Sequence, residues 1–124
     1  MTLVDTAVWI DHFRASLPAL VRMLHDGEVA GHVFVVGELV LGHLRRREET
    51  VALLAELPTL KTASHDDLLR FVGKHALAGT GVGWIDAHLL CAAASAGVPL
   101  WTHDRALRKQ AARLGLAPGS AIRN

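Results

Sequence analysis

Residues 1–10, MTLVDTAVWI, set two apolar residues, Leu3 and Val4, directly before a carboxylate, Asp5, and then begin an apolar run with helical spacing. A charge therefore falls where a buried strand would end. Residues 98–107, VPLWTHDRAL, repeat the arrangement with Asp104. An Asp between a strand and a helix is a favourable N-cap, and its charge suits the positive end of that helix, so each has a purely structural reading by itself. The pair gains a further meaning only if other groups converge on it.

Between these two stretches strands and helices alternate. A strand at 3–4 leads into helices over about 6–14 and 18–25, the second stopped by the turn dipeptide Asp26-Gly27. Residues 29–32 read as a short strand. Residues 34–57 read as a helix, a break around the arginines, and a second helix ending before Pro58. A third strand is expected at 60–63. Ser64, with Asp67 three residues on, resembles a capping box opening a helix over 66–79. The flexible loop GTGVG precedes a helix over 84–97, a fourth strand at 98–101, a last helix over 104–115 and a weak edge strand at 116–118. Strands alternating with helices imply an α/β chain with a parallel sheet covered on both faces. The 124 residues fit one domain spanning 1–124.

Composition narrows the function classes. Hydrophobic residues make up 51% of the chain and the mean hydropathy is +0.29, so part of the apolar surface is expected to be covered by another subunit. The longest apolar stretch, residues 89–101, is broken by Ser95, Gly97 and Pro99 and is too short to span a bilayer, so no membrane role is expected. The N-terminus has no signal-peptide pattern and the single Cys91 has no disulfide partner, which makes a reducing cytoplasm the expected location. A net charge of +1 neither advertises nor excludes nucleic acid. The eight histidines show no HExxH-like pattern, so zinc is not expected.

In a parallel sheet, ligands bind at the carboxyl ends of the strands, which brings Asp5 and Asp104 to one edge. Two further carboxylates stand out in otherwise apolar helices: Glu38 in FVVGELVLG and Asp86 in GWIDAHLLCAAA. Buried like charges need compensation, and few cationic side chains lie on these segments. A divalent cation is the economical solution. Mg²⁺ or Mn²⁺ prefers oxygen ligands and is commonly held by one or two carboxylates together with a substrate phosphate, which points to phosphodiester cleavage. The absence of a second Asp two residues after Asp5 argues against an aspartyl-phosphate phosphatase. Ser64 and Cys91 read as structural.

VDTAVWIDHF, GELVLG with RRREE behind it, GWIDAHLL and WTHDRAL resemble, in order and along nearly the whole chain, the motifs of the PIN domain and, within it, the VapC-type ribonuclease toxins of bacterial toxin–antitoxin pairs. The resemblance implies a three-layer α/β/α sandwich and a homodimer. It implies that Asp5, Glu38, Asp86 and Asp104 are the acidic catalytic and metal-binding tetrad, with Thr102 close to the metal. Asp5 and Asp86 are the first choice of ligands, with Asp104 and Glu38 completing the site directly or through water. The implied activity is Mg²⁺-dependent (or Mn²⁺-dependent) cleavage of RNA, silenced by a small antitoxin. Its tail would lie in a groove drawing on Val8, Trp9, Phe13, Leu39, Val40 and Leu44 and send a basic side chain toward the tetrad. Ala7 departs from the Ser many relatives carry two residues after the first Asp. An RNA-processing PIN nuclease and a non-catalytic RNA-binding or partner-binding PIN domain are the alternatives.

Other features carry plainer expectations. Arg45, Arg46 and Arg47 read as a solvated helix end paired with Glu48 and Glu49. Arg105, Arg108, Lys109 and Arg113 lie near one face of the last helix, where RNA-phosphate contacts and a plain amphipathic surface are about equally expected. Trp9, Trp84 and Trp101 read as core or interface anchors, and Asp11, His12, His88 and His103 as packing or surface residues.

Overall fold

A computed structural model describes residues 1–119 and 122 of the chain. The elements, in order, are β1 (Thr2–Val4), α1 (Thr6–Ala15), α2 (Pro18–His25), β2 (Val29–Ala30), α3 (Val33–Leu41), α4 (Arg47–Glu56), α5 (His65–Lys74), α6 (Trp84–Ala96), β3 (Leu100–Trp101) and α7 (Arg105–Arg113). The strands run parallel in the order β2-β1-β3, with Leu3 opposite both Ala30 and Leu100. Helix α6 packs on β1 and β3, α7 packs on α6, and α1, α3 and α4 pack in succession. This is the expected α/β/α sandwich around a parallel sheet.

So short a sheet is held by its side chains more than by its ladder. Each net backbone hydrogen bond contributes about 1 kcal/mol. A fully buried Leu or Val contributes roughly 1.5–3 kcal/mol, and Leu3, Val4, Leu89, Leu90, Leu100 and Leu107 are all completely inaccessible. Helix α6 is buried without interruption from Ala87 to Ala93, and its small Ala92 and Ala93 let it lie close over the sheet. It ends on Gly97 in the left-handed conformation, with φ +68°, which a side chain would strain.

Four expected strands shrink, each for a reason visible in the chain. That at 98–101 keeps only Leu100–Trp101, because the Val98 N–H closes the end of α6 on the Ala93 carbonyl and Pro99 has no N–H. No strand forms at 60–63; just before it Thr59 makes a single parallel bridge with Gly31, because Pro58 has no N–H to extend the ladder on one side and the Ser64 cap opens α5 on the other. The tail at 116–118 makes one rung, the Leu100 N–H donating to the Leu116 carbonyl at 2.9 Å, and Pro118 cannot donate the next. The strand expected at 29–32 stops at Ala30, since the His32 ring turns to accept the Phe34 N–H at 3.1 Å and caps α3. The break between α3 and α4 is real. Arg46 adopts the left-handed conformation there, and Arg47 donates to the Val40 carbonyl at 2.6 Å, satisfying an orphan acceptor at the end of α3. Of the three arginines, Arg47 is therefore a helix-end cap, and Arg46 pairs with Glu49 as expected.

Candidate active site

The sheet's carboxyl edge collects the acidic side chains through chain direction alone. Asp5 follows β1, Thr102 follows β3, and α3 begins just after β2. Helix α6 runs into β3 through a short turn, so its first residues return to that same edge. Asp5 is 4% exposed. Its Oδ1 accepts the Thr6 N–H at 2.7 Å and its Oδ2 accepts the Thr102 hydroxyl at 2.6 Å. The Thr102 hydroxyl in turn accepts the Asp104 N–H at 3.0 Å. One buried threonine thus joins the two strand-end acids.

Asp5 and Asp104 also cap their helices, α1 and α7. Capping and membership of an acidic site are therefore compatible. A carboxylate offers about four lone-pair positions, and the two hydrogen bonds on Asp5 leave the others free for a ligand. Glu38 lies on the exposed side of α3, where its Oε1 accepts the Thr6 hydroxyl at 2.9 Å. Asp86 is half-buried in the first turn of α6, and among the described residues no hydrogen bond or salt bridge reaches it.

Asp5 and Asp86 both feel their acidic neighbours. Burial is the main cause pushing the Asp86 carboxyl up to about 6, and the charges of Asp5, Asp104 and Glu38 add to it. The Asp5 carboxyl is also raised, chiefly by burial, against the opposing pull of its bonds to Thr102 and Thr6. No ion pair among the described residues includes any of the four carboxylates. Cationic side chains lie beside the edge without pairing with its carboxylates: Arg108 donates to the Thr102 carbonyl at 3.5 Å, and Arg14 and Arg45 line the cleft next to Glu38. Nor do any three His, Cys, Asp or Glu side chains among the described residues close a tight protein-only cage. This oxygen-only, spread donor set fits a hydrated Mg²⁺ or Mn²⁺ touched by one or two carboxylates, and does not fit zinc.

Several sequence expectations change. Val8 and Trp9 are completely or nearly completely buried in the core, so they cannot line an open groove. Apolar residues occur on both faces of α1, and the face turned outward is that of Ile10 and Phe13. Those two, with Leu39, Leu44, Glu38 and Arg45, line a cleft of about 490 Å³ beside the acidic edge. Arg113 is engaged with Gln110 and the His75 carbonyl, tying α7 to the end of α5, which removes it from a free basic face. Two contacts had no signal in the sequence because they join distant segments: Thr6 with Glu38, and His103 with Asp11 at 2.5 Å.

The chain matches the PIN domain model over residues 2–113. It is 43% identical over 118 residues to Ribonuclease VapC32 of Mycobacterium tuberculosis strain CDC 1551 / Oshkosh, an alignment covering 94% of this chain and 95% of that protein. The protein of the same name from strain ATCC 25618 / H37Rv matches equally. In fold it is similar to the crystal structure of PAE2754 from Pyrobaculum aerophilum, with a TM-score of 0.63 at 18% identity, covering 92% of this chain and 94% of that one. With a family match running from β1 through α7 and that identity along almost all of a ribonuclease, the chain belongs to the PIN-domain family and, within it, to the VapC-type ribonucleases.

Proposed function

We propose that the chain is a metal-dependent endoribonuclease and the toxin of a toxin–antitoxin pair, with Asp5, Glu38, Asp86 and Asp104 as its catalytic acids. The observation that carries the metal-site assignment is the half-buried Asp86, which feels the charges of Asp5, Asp104 and Glu38 while no salt bridge among the described residues neutralises any of the four. Mg²⁺ or Mn²⁺ bound there supplies neutralisation of phosphate charge and acidification of water. The chain supplies the orientation. Asp5, fixed by Thr6 and Thr102, is the rigid ligand. Asp86 approaches from the first turn of α6, and Asp104 is held through its own N–H on Thr102. Glu38, exposed and steadied by Thr6, would complete the site directly or through water.

The Ile10–Phe13 cleft supports docking of an antitoxin segment. It pairs apolar walls with Glu38, to which a basic side chain of the partner can turn, and with Arg14 and Arg45, which favour acidic groups beside that side chain. Exposed Val33, Leu41 and Trp84 support self-association as a homodimer. An RNA substrate and an unpaired, buried Cys91 fit a cytoplasmic setting.

The test is RNA cleavage by folded Asp5→Asn protein. Its rate is expected to fall by more than the roughly 100-fold typical of removing an outer contact at a metal site. Chelation is expected to stop the wild-type reaction, with Mg²⁺ or Mn²⁺ restoring it and Ca²⁺ doing so poorly. Cleavage that survives exhaustive metal removal rejects the metal-dependent mechanism, and RNA binding without cleavage by the metal-loaded wild type rejects the enzyme.

A further inference from the structure

Helix α1 and the turn from β3 into α7 are joined at three depths. At the sheet, the Asp5 N–H donates to the Trp101 carbonyl at 2.9 Å. At the acidic edge, the Thr102 hydroxyl donates to Asp5 Oδ2 at 2.6 Å. Farther along α1, Asp11 Oδ2 lies 2.5 Å from His103 Nδ1. A carboxylate can only accept, so Nδ1 carries the proton and donates it. The other flank of the His103 ring meets Trp101 edge-to-face, with centroids 6.1 Å apart. His103 is thus gripped between the strand it leaves and the helix opposite, with Thr102 and Asp104 as its immediate chain neighbours.

We propose that Asp11 and His103 are a positioning pair for the acidic site, holding the Thr102-His103-Asp104 step so that the Thr102 hydroxyl stays aimed at Asp5. The proposal deepens the ribonuclease reading and rests on it for the activity it predicts. The geometry explains why an outer link is needed. The Thr102 hydroxyl accepts from the Asp104 N–H within its own turn and donates across to Asp5, so a small swing of the turn carries the hydroxyl away from Asp5. A second tether between the same two segments removes that swing. Stability is a poor explanation for the pair, because its side chains are 31% and 40% exposed and such surface pairs contribute little to folding. Placement is a better one, since a misplacement of about 1 Å at reacting groups can cost about 100-fold in rate.

The experiment compares Asp11→Ala, Asp11→Asn and Asp11→Ala/His103→Ala with wild type. Asp11→Ala is expected to lower kcat about tenfold with KM for RNA and the thermal midpoint unchanged. It should weaken Mn²⁺ binding, read by electron paramagnetic resonance, and move the amide resonances of Asp5 and Asp104 while those of β2 stay in place. Asp11→Asn, which still offers an acceptor to the ring N–H, should recover most of the loss. The double variant should be no worse than Asp11→Ala. Unmoved Asp5 and Asp104 resonances in folded Asp11→Ala protein overturn the proposal, as does wild-type kcat in that variant or an additive loss in the double variant. If the wild-type protein cleaves no RNA, the functional reading fails separately, and the resonances still decide whether the pair positions the site.

Discussion

The acidic edge has two halves built in opposite ways. The strand-borne half, Asp5 with Thr102 and Asp104, is pinned: every group in it is bonded to another, and Asp5 and Thr102 are buried. The helix-borne half is loose. Glu38 has a single hydroxyl partner on an exposed face, and Asp86 has no partner among the described residues. The pinned half spends backbone and hydroxyl donors to keep a charge where burial disfavours it. The loose half leaves its acids to be completed by whatever cation or water arrives. A rigid anchor facing adjustable ligands suits an ion that must hold substrate phosphate and water as well as protein oxygens.

The sharpest way to break this contrast is to unpin the anchor. Thr102→Val keeps the shape of the side chain but removes the donor to Asp5 and the acceptor for the Asp104 N–H. Cleavage is expected to fall roughly 10- to 100-fold, as for other contacts that orient metal ligands. Folding stability should fall by about 1–3 kcal/mol, because buried polar groups lose their partners. Wild-type kinetics in this variant would show that Asp5 holds its own position. The corresponding change in the loose half, Thr6→Val, frees Glu38 only. An exposed hydrogen bond has a net worth of roughly 0.5–1 kcal/mol, so cleavage should fall only about two- to fivefold. A loss as large as that of Thr102→Val would erase the distinction between the halves.

The same contrast explains what could be read in the sequence. Asp5 and Asp104 announce themselves because their signal is local: an apolar pair, an acid, then helical spacing. Glu38 and Asp86 stand out by a different rule, a charge in an apolar helix. The contacts that set their geometry are another matter. Thr6 is 32 residues from Glu38 and Asp11 is 92 from His103 in sequence, and no periodicity spans such distances. The fold followed from the alternation of elements, but strand ends did not. Pro58, Pro99 and Pro118 each remove a donor that a run of apolar residues does not reveal as missing. Trp9 is a core anchor, one of the roles read for it, but its place in the groove fails for a third reason. With Val8, Trp9, Ile10 and Phe13 all apolar, α1 does not say which face turns inward until α3 is packed against it.

The gentlest probe of the contrast is the pH dependence of stability in chelated protein. Asp86 is ordinarily expected to ionise near 3.8 but is pushed up to about 6 in the fold, by burial first and by its acidic neighbours second. Between these values the folded chain keeps a proton that the unfolded chain has released, so stability falls as pH rises through that window and levels off above it. Asp5, raised as well, acts in the same direction. Three histidines, His32 and His88 buried and His12 partly so, oppose it. His12, His32 and His88 are lowered from 6.5 mainly by burial, so their contribution is lost as pH falls through and below that value. The informative quantity is therefore the difference between wild type and Asp86→Asn, in which the histidine contributions cancel to first order. The thermal midpoint of Asp86→Asn should match wild type near about pH 4 and exceed it by a few degrees near about pH 7.5, where wild type carries the full cost of burying the Asp86 charge beside its acidic neighbours. Adding Mg²⁺ at the higher pH should raise wild type and leave Asp86→Asn nearly where it was. Parallel pH profiles for the two proteins would mean that Asp86 is not strained by its neighbours, and the loose half would then need no cation to hold it.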